Sequence, residues 1–284
     1  MTVRGSRPMA RGARMRALPV LTAAVLGGSA LLVSCAADSP VRTRAAAGSA
    51  AGPVEQLRVR VLDVLPHDPT AYTQGLEMAG HTLYEGTGLP GESSIRRGPP
   101  GGRPTVRAEL PAPLFGEGVT VLGPTLWQLT WRDRIAIERD ASTMAELRRL
   151  PYDAEGWGVC HQPGRGRLVT SDGSARLTFR DPHTLAPTGE LLVTLGGRPV
   201  PRLNELECVG DRVYANVWPS DRIVRVDTGT GTVTAQIDAS GLLPSKKRRP
   251  AEVLNGIAAV PGTDEFLLTG KRWPKMFRVV FVAR

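Results

Sequence analysis

From residue 56 onward, the hydrophobic positions of the chain fall in short runs separated by Gly, Pro, Asp and Asn. No long stretch shows the period of an amphipathic helix, so the pattern predicts an all-β protein. Five segments also resemble one another, and in each a second apolar run follows 9 to 11 residues after the first residue. Each segment therefore predicts a β-hairpin. The segments begin at Gln74, Glu117, Trp157, Asn204 and Asn255.

The starts of these segments lie 43, 40, 47 and 51 residues apart. Weaker apolar runs fill the rest of each period, as residues 177–180 and 191–195 do in the third segment. Four short strands in about 40 to 50 residues is the size of one propeller blade. The repeat thus predicts a five-bladed β-propeller closed by an N-terminal strand, in which residues 56–65 complete the last blade beside residues 276–282. A β-sandwich with evenly spaced turns is the alternative.

The first 34 residues have the layout of a secretory signal peptide. Five Arg precede an uncharged stretch at residues 17–34, and Cys35 follows in LVSC, which resembles the lipobox of bacterial lipoproteins. Residues 35–55 are small and polar, which predicts a flexible tether ahead of a folded domain at residues 56–284. We therefore expect an exported protein, either anchored to a membrane by a lipid on Cys35 or freely secreted.

The basic character of the chain comes largely from that leader. The net charge is +9, from 36 Lys and Arg against 27 Asp and Glu, and without the five leader Arg it is 31 against 27, or +4. A folded domain of this charge does not predict a nucleic-acid partner.

The Cys and His residues give little evidence of a metal site. Three Cys are too few for a disulfide-stapled small protein or a four-Cys zinc site. Cys160 and Cys208 follow the first strands of neighbouring segments; we expect two buried thiols, and their pairing stays open because it depends on a Cα separation. The four His lie in different segments without ligand spacing, so we expect no metal and no cofactor.

Unusual polar and aromatic residues occupy one end of every predicted hairpin. The start of the first strand and the end of the second lie at the same end of a hairpin, so in a propeller these positions would face one mouth of the central channel. They predict a small pocket with aromatic walls, several amides, one carboxylate and one ammonium. The positions are Gln74, Thr87, Glu117, Thr130, Trp131, Trp157, Ser171, Asp172, Asn204, Trp218, Asn255 and Lys271.

The composition of this pocket suits a ligand with an amine and an amide. Aromatic faces attract cationic amines, and Asn and Gln offer both a donor and an acceptor to an amide. A carboxylate buried beside indoles would titrate nearer neutrality and could exchange protons. The sequence shows no nucleophile with an evident base, no HExxH and no P-loop. The pocket therefore predicts either proton transfer within an oriented substrate or a non-catalytic module that binds peptide N-termini or small amines.

Ordered motifs extend this pattern over about residues 60 to 280. They include TQGLE, LFGEGVT, QLTWRD, EGWGVC, NELECV, YANVWPSDRI, VLNGIA and TGKRWP. In this order they resemble the plant- and bacterial-type glutamine cyclotransferases. The resemblance implies a five-bladed propeller enzyme, expected to be monomeric, that converts the N-terminal glutamine of a peptide or protein to pyroglutamate and releases ammonia.

The same resemblance implies a role for each matching residue. Glu117 is implied to be the general acid/base, with Lys271 supporting the charged network around it. Gln74 and Asn204 are implied to hold the substrate amide and amine. Tyr72 stands where the family usually has Phe, so that one wall of the pocket gains a hydroxyl. The other implied aromatic walls are Phe115, Trp131, Trp157 and Trp218.

Overall fold

The computed structural model of the protein describes residues 52–244, residue 249 and residues 252–284. The predicted signal peptide, Cys35 and all but the end of the predicted tether lie outside this part of the chain. The described residues form strands joined by turns, with one turn of 3₁₀ helix at Pro163–Arg165. None of them forms a helix long and apolar enough to cross a membrane. The predicted all-β class is confirmed.

Three sheets contain four strands each, paired antiparallel in the order of the sequence. The first consists of β2 (Thr73–Ala79), β3 (Thr82–Thr87), β4 (Ser94–Gly98) and β5 (Val106–Glu109). The second consists of β6 (Gly116–Leu122), β7 (Thr125–Thr130), β8 (Ile135–Asp140) and β9 (Glu146–Pro151). The third consists of β10 (Val159–Gln162), β11 (Arg167–Ser171), β12 (Arg176–Arg180) and β13 (Pro187–Leu192).

The other long strands of the described residues form an eight-stranded sheet that brings the N-terminal strand beside the C-terminal one. Across the sheet its strands are β16 (Leu203–Val209), β17 (Arg212–Val217), β18 (Arg222–Asp227), β19 (Val233–Asp238), β1 (Glu55–Pro66), β22 (Lys275–Ala283), β21 (Phe266–Gly270) and β20 (Leu254–Ala259). Strand β1 runs parallel to β19 and antiparallel to β22. A small ribbon of β14 (Thr194–Leu195) and β15 (Arg198–Pro199) precedes it.

Each of the five segments that the sequence predicts as hairpins is an antiparallel pair of strands. The pairs are β2 with β3, β6 with β7, β10 with β11, β16 with β17 and β20 with β21. The weaker runs of the third segment correspond to β12 and β13. The strands form where β-branched and aromatic residues alternate between Gly and Asp turns, as the hydrophobic pattern requires.

The hydrophobic core lies between successive sheets. One cluster joins Tyr84 and Ile95 of the first sheet to Leu126 of the second. Another joins Trp127 of the second sheet to Leu168 of the third. Further clusters join the third sheet to β16–β18, these strands to β20–β22, and β20–β22 back to the first sheet. Each fully buried side chain of this size contributes about 1.5 to 3 kcal/mol relative to an exposed one.

The first strands of the sheets approach one another closely through glycine. A Cβ atom on Gly118 would lie 2.6 Å from the carbonyl oxygen of Trp157, and one on Gly158 would lie 2.2 Å from that of Asn204. The Gly118 amide donates a hydrogen bond to the Trp157 carbonyl at 2.8 Å. Because no larger residue fits there, the glycines of the GEG and GWG motifs bring together the strand starts that carry the candidate site residues.

A buried carboxylate also links three of these first strands. Glu205 of β16 accepts hydrogen bonds from the amides of Leu76 at 3.2 Å and Ile257 at 2.8 Å. Its side chain therefore joins β16 to β2 and β20. The sequence repeat does not indicate this role, since the bonds connect segments distant in the chain.

Cys160 and Cys208 form a disulfide whose Cα atoms lie 5.4 Å apart. The expectation of two separate buried thiols was wrong. The bond joins β10 to β16, two first strands of successive sheets, at the end opposite to Trp157 and Asn204. The separation that permits it follows from the close approach of these strands.

Candidate active site

Irregular backbone at the strand starts directs the key polar side chains. Pairing with the neighbouring strand shifts register between Thr73 and Gly75, between Gly116 and Val119, and at the corresponding positions of β16 and β20. Such β-bulges re-aim side chains next to active sites. The residues inside these irregular stretches include Gln74, Glu117, Asn204 and Asn255.

A cavity of about 410 Å³ lies at these strand ends. All nine residues to which the family resemblance assigns a role line it, together with two arginines that the sequence analysis missed, Arg132 and Arg202. The nine are Tyr72, Gln74, Phe115, Glu117, Trp131, Trp157, Asn204, Trp218 and Lys271. The structure therefore brings together residues that are up to 199 positions apart in the chain.

Glu117 is the buried carboxyl group of this cavity, with 5% of its surface exposed. Burial raises the pKa of Glu117 well above its usual value; the positive charge of Lys271 opposes this shift and the negative charge of Glu155 adds to it. A carboxyl group with a raised pKa can both accept and donate a proton near neutrality.

The hydrogen bonds of the Gln74 side chain determine which end of its amide group faces Glu117. Its Nε2 donates to Glu117 Oε1 at 2.8 Å, and its Oε1 accepts from Asn255 Nδ2 at 3.3 Å. The same Asn255 Nδ2 donates to the Thr73 carbonyl at 3.1 Å. Since Asn255 uses its donor group on Gln74, the amide of Gln74 is turned so that it donates to Glu117. This hydrogen bond holds one oxygen of the Glu117 carboxyl group in place at the cavity.

Lys271 is the buried cation of the cavity, with 4% of its surface exposed. Burial lowers the pKa of Lys271 to about 8, although the negative charge of Glu117 opposes the shift. Its Nζ lies 4.9 Å from the centroid of the Tyr72 ring, a cation–π distance. The ammonium and the carboxyl group thus share one low-dielectric cavity and shift each other's titration.

Two aromatic pairs form the walls. The rings of Phe115 and Trp131 lie 5.4 Å apart, and those of Trp157 and Trp218 lie 6.1 Å apart with their planes at 89°. Tyr72 meets Phe115 edge to face at 6.3 Å. These are favourable aromatic geometries, and the five rings present apolar faces and edges to a ligand.

Asn204 supplies an open hydrogen-bond acceptor. Its side chain is 3% exposed, and among the described residues its Oδ1 has no hydrogen-bond partner. A buried polar atom without a partner is costly. Asn204 lines the cavity, and an amine or amide N–H of a ligand that reached this oxygen would satisfy it.

The remaining predicted strand-end residues have structural contacts instead. Ser171 Oγ donates to the Asn204 carbonyl at 2.6 Å, and Asp172 accepts the Ser174 amide at 2.9 Å. Thr87 bonds the Ser94 hydroxyl at 2.9 Å, and Thr130 donates to the Ile135 carbonyl at 2.7 Å. They hold the backbone around the cavity, and none of them lines it.

A buried ion network supports the loop that carries Tyr72. Glu85 accepts from Arg96 at 2.7 and 2.9 Å, from Thr73 Oγ1 at 2.6 Å and from His67 Nε2 at 3.0 Å. These donors hold the pKa of Glu85 down, at about 2, against its burial. Arg96 also pairs with Asp68 at 2.7 Å. The network anchors both ends of residues 67–73.

Arg132, Arg202 and Glu155 lie next to the aromatic walls of the site. Arg132 lies 4.1 Å from the Trp131 ring centroid, and Arg202 lies 5.2 Å from that of Trp218. Glu155 belongs to the EGWG motif and lies two residues before the predicted wall residue Trp157. This proximity in sequence is the signal that could have identified it as a site residue. No signal marked Arg202, which precedes β16. The described residues contain no group of three His, Cys, Asp or Glu placed to hold a metal ion.

The model of the glutamine cyclotransferase family matches residues 30–281. The chain belongs to the glutamine cyclotransferase family. A curated relative, the glutaminyl-peptide cyclotransferase of Arabidopsis thaliana, is 37% identical over 228 residues, which are 78% of this chain and 70% of the relative.

A solved structure of the same family also matches. The crystal structure of Myxococcus xanthus glutaminyl cyclase has a TM-score of 0.76 and 34% identity to this chain, over 82% of this chain and 100% of that one. Family membership, expected from the ordered motifs, is confirmed.

Proposed function

We propose that this chain is a glutaminyl-peptide cyclotransferase that converts N-terminal glutamine to pyroglutamate and releases ammonia. The observation that carries the proposal is the buried Glu117, whose pKa is raised, between Gln74 and Lys271 in a cavity walled by aromatic rings. Membership of the family and the two named relatives support the same activity.

The first step forms the lactam ring. The neutral α-amine of the substrate attacks the Cδ carbonyl carbon of its own side chain, and Glu117 as a carboxylate takes a proton from that amine. Asn204 Oδ1 is the acceptor for the second amine hydrogen, and the Lys271 ammonium is the donor for the oxyanion. Holding the two reacting groups together can be worth about 7 to 11 kcal/mol.

The second step expels ammonia. Glu117, now protonated, gives its proton to the former carboxamide nitrogen, the bond from Cδ to that nitrogen breaks, and the carbonyl reforms. One proton has moved between two nitrogens of one substrate, so Glu117 ends as a carboxylate. The reaction is an intramolecular aminolysis, an acyl transfer from one nitrogen to another, and proton shuttling of this kind contributes about 10² to 10⁴ in rate.

We propose that the sheets form five propeller blades around this site. Three four-stranded sheets, the strands β16–β19 and the group β20, β21, β22 and β1 would be the blades. Support comes from the five apolar clusters, which join every sheet to the next and the last to the first. The pairing of β1 with β22 over Leu57–Pro66 supports a ring completed by the N-terminal strand.

We propose further that the protein is exported, with residues 1–34 as signal peptide and residues 35–55 as tether. The Cys160–Cys208 disulfide supports this, because disulfides persist mainly in oxidising compartments. Sequencing the N-terminus of the mature protein tests it. A lipid-modified Cys35 at the first position means a membrane anchor, and an unmodified new N-terminus means secretion.

Ammonia release from a peptide that begins with Gln is the direct test of the proposed activity. The purified protein is expected to release one ammonia per pyroglutamyl peptide formed, and the matched peptide beginning with Asn, whose side chain is one methylene shorter, is expected to react far more slowly. A protein that binds the peptide but releases no ammonia would be a binding module instead.

We expect kcat/KM to pass through a maximum with pH. Glu117 must be ionised to take the first proton, so activity rises as pH passes the raised pKa of Glu117. Activity then falls as the pH passes about 8, where Lys271 loses its proton.

The variant Lys271→Met tests both limbs of this profile. It should lose the alkaline limb, and its acid limb should move to higher pH because Glu117 loses the cation that favours its ionised form. The substrate amine titrates near pH 8 but is common to both enzymes. An unchanged profile in the variant contradicts the assignment.

A further inference from the structure

We propose that Glu155 is a positioning residue that fixes the relative placement of two indole walls, Trp131 and Trp157, and so determines how tightly the site holds the N-terminal residue. This inference rests on the proposed function. Glu155 contacts Trp131 and Trp157, which line the cavity, and neither the motif roles nor the proton transfer uses it.

The geometry is a single oxygen shared by two indoles. Glu155 Oε2 accepts from Trp131 Nε1 at 3.0 Å and from Trp157 Nε1 at 3.3 Å. Its other oxygen accepts from Arg132 Nε at 3.1 Å. An indole N–H is only a donor, so each wall needs an acceptor, and the shared oxygen ties the two rings at a set separation.

The two walls reach this oxygen from different parts of the fold. Trp131 directly follows β7 of the second sheet, whereas Trp157 precedes β10 of the third. Arg132 secures the arrangement from outside, because its guanidinium pairs with Glu155 and lies 4.1 Å from the Trp131 ring centroid. The side chain of Glu155 is 36% exposed, so its substitution leaves the hydrophobic core intact.

The charge of Glu155 has a second, separable effect. Its negative charge is one of the causes that raise the pKa of Glu117, with Lys271 acting in the opposite direction. Burial raises the pKa of the Tyr72 hydroxyl, and the charge of Glu117 adds to this shift. A variant that keeps the acceptor oxygen but loses the charge therefore separates placement from electrostatics.

Three substitutions at position 155 test the inference through steady-state kinetics with a Gln-initiated peptide. Glu155→Ala removes the acceptor, and Glu155→Asp withdraws it by one methylene while keeping the charge. Both are expected to raise KM about tenfold, because the two hydrogen bonds that hold the indoles in place are lost. Glu155→Gln keeps a carbonyl oxygen at the same reach and is expected to stay within about threefold of the wild-type KM.

A spectroscopic measurement reports the same placement without turnover. Near-ultraviolet circular dichroism should lose indole signal in Glu155→Ala and Glu155→Asp and keep it in Glu155→Gln. The matched control is Glu109→Ala, which removes an exposed glutamate paired with Arg107 at 2.7 Å on the last strand of its sheet; wild-type KM and spectrum are expected.

The outcomes separate this inference from the proposed function. If the wild-type protein releases no ammonia, the proposed function fails, while the spectra of the variants still decide the placement. If the wild type is active and Glu155→Ala or Glu155→Asp keeps both its KM and its spectrum, the inference is overturned. A Glu155→Gln variant as impaired as Glu155→Ala, beside an unimpaired Glu155→Asp, overturns it as well, because charge rather than placement would then matter.

Discussion

Replacing Glu117 with glutamine is expected to leave the fold intact and to lower turnover of a Gln-initiated peptide by at least about 10² to 10⁴. The substituted side chain retains an oxygen at the position that accepts from Gln74 at 2.8 Å, so the hydrogen bond to β2 is kept. It cannot, however, take a proton from the attacking amine or return one to the leaving nitrogen. The measurement is ammonia release at saturating substrate.

The control for this variant is Glu207→Gln. Glu207 is also buried, its pKa is also raised by burial, and it lies on β16, the strand of Asn204. It does not line the aromatic cavity. Its neutralisation should therefore leave turnover near the wild-type rate. Near-normal turnover in Glu117→Gln would exclude the proposed acid/base role.

Replacing Glu85 with glutamine is expected to lower the free energy of unfolding by about 3 to 5 kcal/mol. Glu85 and Arg96 are both almost fully buried and hydrogen bond twice, and His67 donates to the same carboxylate. Neutralising one member leaves the Arg96 guanidinium charged and without its principal partner. Urea unfolding at pH 7 measures the loss, and Glu109→Gln, which weakens an exposed pair, should cost at most about 1 kcal/mol.

The effect of Glu85→Gln should depend on pH in a defined direction. The folded-state pKa of Glu85, about 2, lies below its ordinary value of 4.5. Its carboxylate therefore stabilises the fold fully above about pH 4.5, and this contribution is lost as the pH falls towards 2. The difference between wild type and variant should shrink over that interval. A difference that is constant from pH 7 to pH 3 would contradict the ion network.

The repeat was readable because it depends on local chemistry. Short apolar runs bounded by Gly, Asp and Asn favour antiparallel hairpins wherever they occur, and the starts of the five predicted hairpins match pairs such as β6 with β7. Hairpin geometry also places Glu117 and Trp131 at the same end, and both line the cavity. The separation of polar strand ends from apolar strand interiors needed no knowledge of distant contacts.

Contacts between segments were not readable in this way. The Cys160–Cys208 disulfide, the Glu205 bonds to β2 and β20, and the oxygen of Glu155 shared by two indoles all join residues that no local pattern relates. The β-bulge that turns Gln74 towards Glu117 could not be predicted from a local pattern either. It depends on how neighbouring strands meet at glycine.

Local residue chemistry thus determined the all-β class, the hairpins and the set of side chains gathered at one end of them, since turn residues and strand periodicity act over only a few positions. The tertiary arrangement alone decided which groups touch and how deeply Glu117 and Lys271 are buried. It therefore decided in which direction the pKa of each group shifts. Burial and hydrogen-bond partners are properties of packed neighbours, and these neighbours come from distant parts of the chain.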